Sequence, residues 1–184
     1  MDTSKSNYEI EAVSEEDAAA IAKVHVNSWR ETYGGLLPNP MLDALSVADR
    51  TARWHAMLKK PHAYDDIKVY KAVVDGRLVG FCACNKQRDD DLQKNGYDSE
   101  ISAIYVLQSF QRAGIGLALV KAAAQHLKNE RYRGTALWVL EGNSNAVLFY
   151  DHLKGAVVAT RKDERADVVL NEIAYGWRNL EKLT

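Results

Sequence analysis

One segment of the sequence constrains the fold more than any other, because it predicts a strand, a loop and a glycine-bracketed helix start in immediate succession. Residues 101–107 are mostly apolar and suit a β-strand, and from Leu117 onward the pattern is strongly helical. Gly114 and Gly116 therefore lie at the helix start, where glycine tolerates positive φ and lets a ligand approach the backbone. The unpaired N–H groups and the helix dipole favour a phosphate there, and Arg112 adds a positive charge.

Residue spacing distinguishes three kinds of glycine-rich phosphate loop. A P-loop needs Lys followed by Ser or Thr after its second glycine, and neither glycine here continues in that way. A dinucleotide-binding turn needs a third small residue where this chain has Leu119, which weakens that interpretation, although Glu141 could imitate its ribose-binding acid. The remaining match is Gln-x-x-Gly-x-Gly, formed by Gln111, Gly114 and Gly116. It resembles the pyrophosphate loop of the GNAT acetyltransferases, which hold acetyl-coenzyme A by its diphosphate.

A second segment extends the resemblance. Residues 141–150 follow a predicted strand and look like the family's second motif, in which an Asn opens a helix and a Phe-Tyr pair follows about two turns later. Asn143 and Asn145 are both candidates for the helix cap. Phe149 is either a core residue or a cofactor contact. The Tyr150 hydroxyl matches the family position that protonates the leaving thiolate, a role suited to a phenol; a plain half-buried tyrosine is the alternative.

The resemblance implies which residues bind acetyl-coenzyme A as co-substrate. In the family, backbone groups of the strand before the loop bind the pantetheine arm and polarise the thioester carbonyl. The implied cofactor-binding residues come from that strand, the loop and the second motif, and are Ile104, Tyr105, Val106, Gln111, Arg112, Ala113, Gly114, Ile115, Gly116, Asn143, Ala146 and Phe149.

The implied chemistry is acetyl transfer to a primary amine by direct attack in a ternary complex. Because such an amine has a pKa of ~10, the site needs either a base or a pocket that binds the neutral form. Glu100 is the candidate catalytic base beside the general acid Tyr150, since it lies fourteen residues before Gly114, as the glutamate base does in histone-acetylating members. We expect Glu100 to share a strand face with Ser102, Ile104 and Val106. It is equally compatible with a solvated strand end.

The acceptor is less clearly indicated. The run 29–38 resembles bacterial family members in which the first two helices wall the acceptor pocket. Trp29 and Tyr33 share a helix face and are either substrate-binding or core residues. The acidic run 89–91 could attract a cationic amine or be merely solvated. A small amine is favoured slightly over a protein N-terminus or lysine, and a homodimer is reasonable for the family.

Composition excludes several classes of function. The net charge is -1 and basic residues form no stripe, which argues against a nucleic-acid or anionic-membrane surface. No apolar run is long enough to span a membrane, so a cytoplasmic location is expected. Cys82 and Cys84 are predicted to be reduced packing residues, and no spacing supports a metal site. At 184 residues with 47% hydrophobic content, the chain is expected to form a single domain, residues 1–184.

The predicted fold class is mixed α/β (α+β), with a GNAT-like sheet of about seven strands flanked by about four helices. The predicted elements are a strand at 8–13, helices from Ser14 to about Glu31 and over 41–58, a hairpin of 67–74 and 77–84, a solvated loop over 85–97, strand 101–107, a helix, strand 135–140, a helix from the second motif, and a hairpin of 155–162 and 166–177 turning across 163–165. The main alternative function is a non-catalytic acyl-coenzyme A sensor or interaction module; a nucleotide-binding oxidoreductase ranks third.

Overall fold

A computed structural model describes residues 7–165 and 168–184. Its strands and α-helices follow in the order β1 (Tyr8–Ala12), α1 (Ala18–Tyr33), α2 (Asn39–Asp43), α3 (Val47–Lys59), β2 (Lys68–Val74), β3 (Arg77–Lys86), α4 (Asp90–Lys94), β4 (Ser99–Val106), α5 (Ile115–Asn129), β5 (Thr135–Leu140), α6 (Ser144–His152), β6 (Ala156–Arg165) and β7 (Val168–Trp177). Within these ranges, no helix combines the length and the hydropathy needed to cross a membrane.

All seven strands form one sheet, in the order β1-β2-β3-β4-β5-β7-β6. Neighbouring strands are antiparallel except for β4 and β5, which are parallel. These two strands pair only at their first residues, where Ser99 lies opposite Thr135 and Glu100 opposite Ala136. Beyond these pairs the strands diverge, so the sheet is split in its middle. The predicted fold class is confirmed, and the four longer helices are α1, α3, α5 and α6.

Two apolar clusters hold the helices against opposite faces of the sheet. On one face, α5 buries Ile115, Leu119 and Leu127 at helical spacing against strand residues that include both cysteines. On the other face, α1 and α3 bury Ile21 and Trp54 with the neighbouring strand residues. The split between β4 and β5 is therefore bounded by packed helices on both sides.

A β-bulge in β4 decides which of its side chains face which helix. Pairing with β3 skips Ser102, and one extra residue reverses the alternation of faces. Ile104 and Val106 consequently pack toward α5, whereas Tyr105 packs toward α1, on the same face as Glu100. The prediction that Glu100 shares a face with Ile104 and Val106 is wrong, because strict alternation does not survive the bulge.

The loop predicted over 85–97 is more regular than expected. Strand β3 continues to Lys86, and α4 forms because the Asp89 carboxylate accepts hydrogen bonds from the backbone N–H groups of Asp91 and Leu92, at 3.1 Å each. The first aspartate of the acidic run is therefore a helix cap. The interpretation of this run as merely solvated is wrong for Asp89.

Two other boundaries differ from the predicted ones. The helical stretch expected over 41–58 is divided into α2 and α3, because Ser46 caps α3 by accepting a hydrogen bond from Asp49 N. The C-terminal hairpin is confirmed by antiparallel pairing of β6 with β7. Residues 163–165 belong to β6 and do not form its turn, because they pair with residues 168–170; Ala166 lies outside the described residues.

Candidate active site

The divergence of β4 and β5 opens a cavity of about 150 Å³ in the middle of the sheet. Its walls come from both strands, from the end of α1, from α6 and from β7. The lining residues are Trp29, Tyr33, Leu37, Ile101, Ser102, Ala103, Ile104, Tyr105, Leu137, Trp138, Val139, Leu140, Tyr150, Leu170 and Glu172. The fold thus brings together five predicted site residues that are far apart in sequence: Trp29, Tyr33, Ile104, Tyr105 and Tyr150.

The strand edges inside the cavity carry backbone groups that a regular sheet would pair. Past Glu100 and Ala136, β4 and β5 no longer bond to each other. The backbone N–H and C=O groups that face this gap have no partner on the opposite strand. Because buried backbone groups normally form hydrogen bonds, these groups are available to a ligand. The gap can therefore accept an extended polar chain as if it were an extra strand.

Three tyrosines face the cavity from different elements. Burial raises the pKa of Tyr105 well above its usual range; the nearby Tyr33 and Tyr150 raise it further, while the neighbouring Trp29 lowers it. Trp29 and Tyr33 also meet edge to face, with ring centroids 5.0 Å apart. The acceptor-side wall predicted from Trp29 and Tyr33 is thus continuous with the Tyr105 side chain of β4.

Tyr150 lies in α6, where its ring is packed on several sides. Its side chain is buried, with ring centroids 5.5 Å from Tyr175 and 6.2 Å from Trp177. Burial raises its pKa far above the ordinary phenol value, and Tyr33 and Cys82 raise it further. The hydroxyl is therefore protonated at neutral pH, as a proton donor must be, and it is a weaker acid than an ordinary phenol.

The predicted phosphate loop has the backbone of an anion site. Gly114 is the N-cap of α5 with φ of 86°, and Arg112 also has a positive φ, of 64°. The first intrahelical bond runs from Ala118 N to Gly114 O, so the N–H groups of residues 115–117 precede it and point out of the helix end. Gln111 fixes the loop to the strand, because its Nε2 donates to Val106 O at 3.0 Å.

Side chains around this helix start divide into packing residues and accessible ones. Ile115 is buried in the core, so only its backbone faces outward. Phe149 lies against Gly116, where an added Cβ would come within 3.4 Å of the ring. Asn143 rather than Asn145 caps α6, since its Oδ1 accepts from Ala146 N at 3.2 Å. The second motif is thereby packed directly beside the phosphate loop.

Glu100 is placed differently from the other predicted catalytic residue. It is 7% exposed and does not line the cavity. Both of its carboxylate oxygens accept hydrogen bonds from Arg88, from Nε at 2.9 Å and from Nη2 at 2.7 Å. Its role as a base stays a prediction, and direct proton transfer from the cavity would require this pair to open.

One polar cluster of the site was not indicated by the sequence. Trp138 and Glu172 line the cavity, and Arg161 joins them: its Nε donates to Glu172 Oε2 at 2.6 Å, and its guanidinium lies 4.1 Å from the Trp138 ring centroid. The sequence offered no signal for this cluster, because it depends on β7 lying between β5 and β6. Tyr8 was also missed; its hydroxyl would lie 3.4 Å from a Cβ added at Gly114.

A larger cavity, of about 590 Å³, lies elsewhere on the molecule, along α3. His25, Arg50, Trp54 and Met57 contribute to its walls. It contains neither the open strand edge nor the α5 helix start. It approaches the smaller cavity through His25, whose ring stacks on Tyr105 with centroids 5.1 Å apart. The candidate active site is therefore the smaller cavity.

Comparison with known proteins decides which family this geometry represents. The profile of the "Acetyltransferase (GNAT) family" matches residues 26–155, which contain β4, the phosphate loop and α6. The chain belongs to the GNAT acetyltransferases. It is 34% identical over 169 residues to the uncharacterized N-acetyltransferase YuaI of Bacillus subtilis, an alignment that covers 91% of each chain.

Solved structures support the GNAT fold. PaiA N-acetyltransferase from Thermoplasma acidophilum, in complex with coenzyme A, is 20% identical, with a TM-score of 0.71 over 90% of this chain and 98% of that one. The structure of yncA from Salmonella typhimurium, with its cofactor acetyl-CoA, is 15% identical, with a TM-score of 0.67 over 93% of each chain. At these identities the likeness concerns the fold alone.

Proposed function

We propose that this GNAT acetyltransferase transfers the acetyl group of acetyl-CoA to a primary amine within a ternary complex. The observation that carries the proposal is the position of the cavity. It lies between the diverging edges of β4 and β5 and has Tyr150 in its wall, and the preceding residue, Phe149, lies against Gly116 at the start of α5.

The residues present suit acetyl-CoA. The N–H groups of residues 115–117 and the exposed Arg112 side chain would bind the diphosphate, because a helix start and a cation both favour anions. The open edge of β4 would pair with the amide groups of the pantetheine arm. Coenzyme A is bound by the PaiA relative and acetyl-CoA by yncA, which agrees with this assignment.

Acetyl-CoA supplies an activated acetyl thioester, and this chain supplies position and protons. The amine nitrogen forms the new C–N bond as the C–S bond breaks. Backbone N–H groups of β4 stabilise the charge that develops on the acetyl oxygen. Tyr150 donates its phenolic proton to the departing sulfur and is reprotonated by the second proton, which the acceptor nitrogen loses after the C–N bond has formed.

The acceptor must lose one proton before it attacks, and two routes remain. Glu100 could receive it, through a water or after separation from Arg88. Alternatively, the amine could enter already neutral, in which case no base inside the cavity is needed. A base in the site would allow acceptors whose amine is protonated at neutral pH. Entry of the neutral amine would instead favour acceptors whose amine is less basic.

Thermal unfolding with acetyl-CoA, NADH and ATP tests the cofactor, and release of the coenzyme A thiol with added amines tests turnover. Ligand at ~100 times its dissociation constant adds about 2.7 kcal/mol, which should raise the midpoint by roughly 5 to 10 °C. We expect this shift with acetyl-CoA alone, together with amine-dependent thiol release. The absence of any shift with millimolar acetyl-CoA would contradict the proposal.

A further inference from the structure

The cavity along α3 has two arginines and no acid in its wall. Its volume of about 590 Å³ is within the range of about 300 to 1,000 Å³ that is common for small-molecule sites. Arg50 and Arg53 line it three residues apart on the helix, so their side chains are neighbours. Its other described lining residues carry no carboxylate; they are His25, Ala52, Trp54, Ala56, Met57 and Tyr64. The charge of this cavity is therefore positive.

The protein does not neutralise either arginine. Within residues 7–165 and 168–184, the ion pairs of the structure include neither Arg50 nor Arg53, whereas Arg88 and Arg161 each pair with a glutamate. Asp49, the only acidic residue of α3, does not line the cavity. Two neighbouring guanidinium groups are thus left without a counter-charge, and they repel each other.

The position of Arg50 makes this repulsion unfavourable in the unbound protein. Its side chain is partly buried, and its guanidinium lies 5.7 Å from the centroid of the Trp29 ring. Burial lowers the pKa of Arg50 and the charge of Arg53 lowers it further, while Tyr105 raises it. An anion bound to both arginines would remove the repulsion and would accept charge-assisted hydrogen bonds from both.

The rest of the cavity wall is apolar or neutral. Trp54 and Met57 contribute an indole ring and a thioether chain. Trp54 Nε1 donates to His25 Nδ1 at 3.1 Å, so the imidazole carries its proton on Nε2. Burial and the charge of Arg50 lower the pKa of His25 to about 4, and the ring is uncharged at neutral pH. A suitable occupant therefore has one anionic group and an apolar body.

We propose that the cavity along α3 is a second ligand site, separate from the site of acetyl transfer, which binds a small carboxylate that carries an apolar body. The carboxylate accepts hydrogen bonds from Arg50 and Arg53, and the body packs against Trp54 and Met57. A phosphate group suits the site less well, because its second charge would leave water for an apolar wall. The inference does not depend on acetyl transfer.

Two stacked rings separate this cavity from the candidate active site. The His25 ring lies on the Tyr105 ring, with centroids 5.1 Å apart. His25 lines the cavity along α3, Tyr105 lines the smaller cavity, and no described residue lines both. A ligand of the α3 cavity and a ligand of the candidate active site can therefore be bound at the same time.

A matched pair of probes tests the site. 3-Phenylpropionate and 3-phenylpropionamide have the same heavy-atom framework, and only the first is an anion. In calorimetric titrations at neutral pH, we expect the carboxylate to bind about tenfold more tightly than the amide, or better. Acetate and inorganic phosphate, which lack the apolar body, should also bind about tenfold more weakly than 3-phenylpropionate. Equal affinity for the carboxylate and the amide, or no binding of 3-phenylpropionate at millimolar concentration, would overturn the inference.

Variants determine whether the probe binds in this cavity. Arg50→Met and Arg53→Met each remove one guanidinium group and should raise the Kd of 3-phenylpropionate about tenfold. Lys59→Met is the matched control, because it removes a positive charge from the same helix at a residue that does not line the cavity, and it should leave the Kd unchanged. Ala56→Phe fills the cavity without changing its charge and should abolish binding. An unchanged Kd in Arg53→Met, which alters an exposed side chain, would contradict the inference even if the other variants do not fold.

Titration in the presence of saturating acetyl-CoA tests whether the two sites are separate. We expect the Kd of 3-phenylpropionate to be unchanged, because the two cavities share no described lining residue. Displacement of the probe by acetyl-CoA would place it in the smaller cavity and overturn the inference. If 3-phenylpropionate binds as expected but acetyl-CoA causes no thermal shift, the proposed function fails and this inference stands.

Discussion

Arg88 holds both carboxylate oxygens of Glu100, with hydrogen bonds of 2.9 and 2.7 Å. Glu100 is almost fully buried, whereas the Arg88 side chain is 55% exposed. The hydrogen bonds to the Glu100 carboxylate raise the pKa of Arg88. Such a two-point contact fixes the start of β4 at the point where it separates from β5, and we expect its main effect to be on stability.

Replacement of Glu100 by Gln tests that interpretation. We expect a loss of about 1 to 3 kcal/mol in the free energy of unfolding, because Arg88 keeps its charge but loses the carboxylate and one of its two acceptor oxygens. The shape of the kcat/KM profile against pH, measured with glycinamide, should not change. If turnover instead falls by about 100-fold or more and the acid limb of the profile is altered, Glu100 is the base.

Tyr150→Phe removes the proposed proton donor while keeping the ring packing. We expect kcat to fall by about 100-fold or more, as for loss of a general acid, with the acetyl-CoA thermal shift retained. Tyr175→Phe is the matched control: its hydroxyl donates to Asp151 Oδ1 at 2.7 Å, so its loss should lower stability by about 1 kcal/mol without a comparable loss of turnover. Equal kcat values for Tyr150→Phe and the unmodified protein would contradict the assignment.

The proposed role of Gly114 in binding acetyl-CoA can be distinguished from the purely conformational role of a turn glycine. Gly114 has φ of 86° and Gly76, in the β2–β3 hairpin, has φ of 73°. An alanine at either position should cost about 1 kcal/mol or more of stability, because both backbones are left-handed. Only Gly114→Ala should also raise the Kd of acetyl-CoA, measured by calorimetric titration. Equal Kd values in the two variants would exclude the loop as the diphosphate site.

His25 should make stability depend on pH. Its imidazole is 8% exposed and accepts a hydrogen bond from Trp54 Nε1 at 3.1 Å, and its pKa is lowered to about 4. As the pH falls, the unfolded chain binds a proton at His25 near its ordinary pKa of about 6.5, earlier than the folded chain does. Stability is therefore complete above about pH 6.5 and is lost as the pH falls toward 4, by about 2 kcal/mol at pH 4.5.

Urea unfolding of His25→Gln at pH 7 and 4.5 measures this contribution. The variant should lose about 2 kcal/mol less between the two pH values than the unmodified protein does, even if it is less stable at both. His152→Gln, a change at an exposed histidine, is the control and should follow the unmodified protein. Identical pH dependence in His25→Gln would show that His25 is not buried in its neutral form.

Local features of this protein could be predicted from the sequence because short-range physics decides them. Gly114 permits the helix start, an Asn of the second motif caps α6, and the apolar period of α5 selects its buried face. The bulge at Ser102 and the cap formed by Asp89 escaped prediction. A prediction that assumes strict alternation of faces along a strand cannot include an inserted residue such as Ser102. The sequence of an acidic run does not show which carboxylate accepts hydrogen bonds from backbone N–H groups.

Most of the elements, their order and the phosphate loop follow from the amino-acid sequence, since each depends on residues within a few turns of one another. The cavity and its charge state arise from the tertiary fold. The split between β4 and β5, the contact of Arg161 with Glu172 and Trp138, and the capture of Glu100 by Arg88 all depend on strand order and register. Strand order and register are set by long-range pairing and packing. They bring together residues that are far apart in the sequence, and no local sequence pattern indicates these contacts.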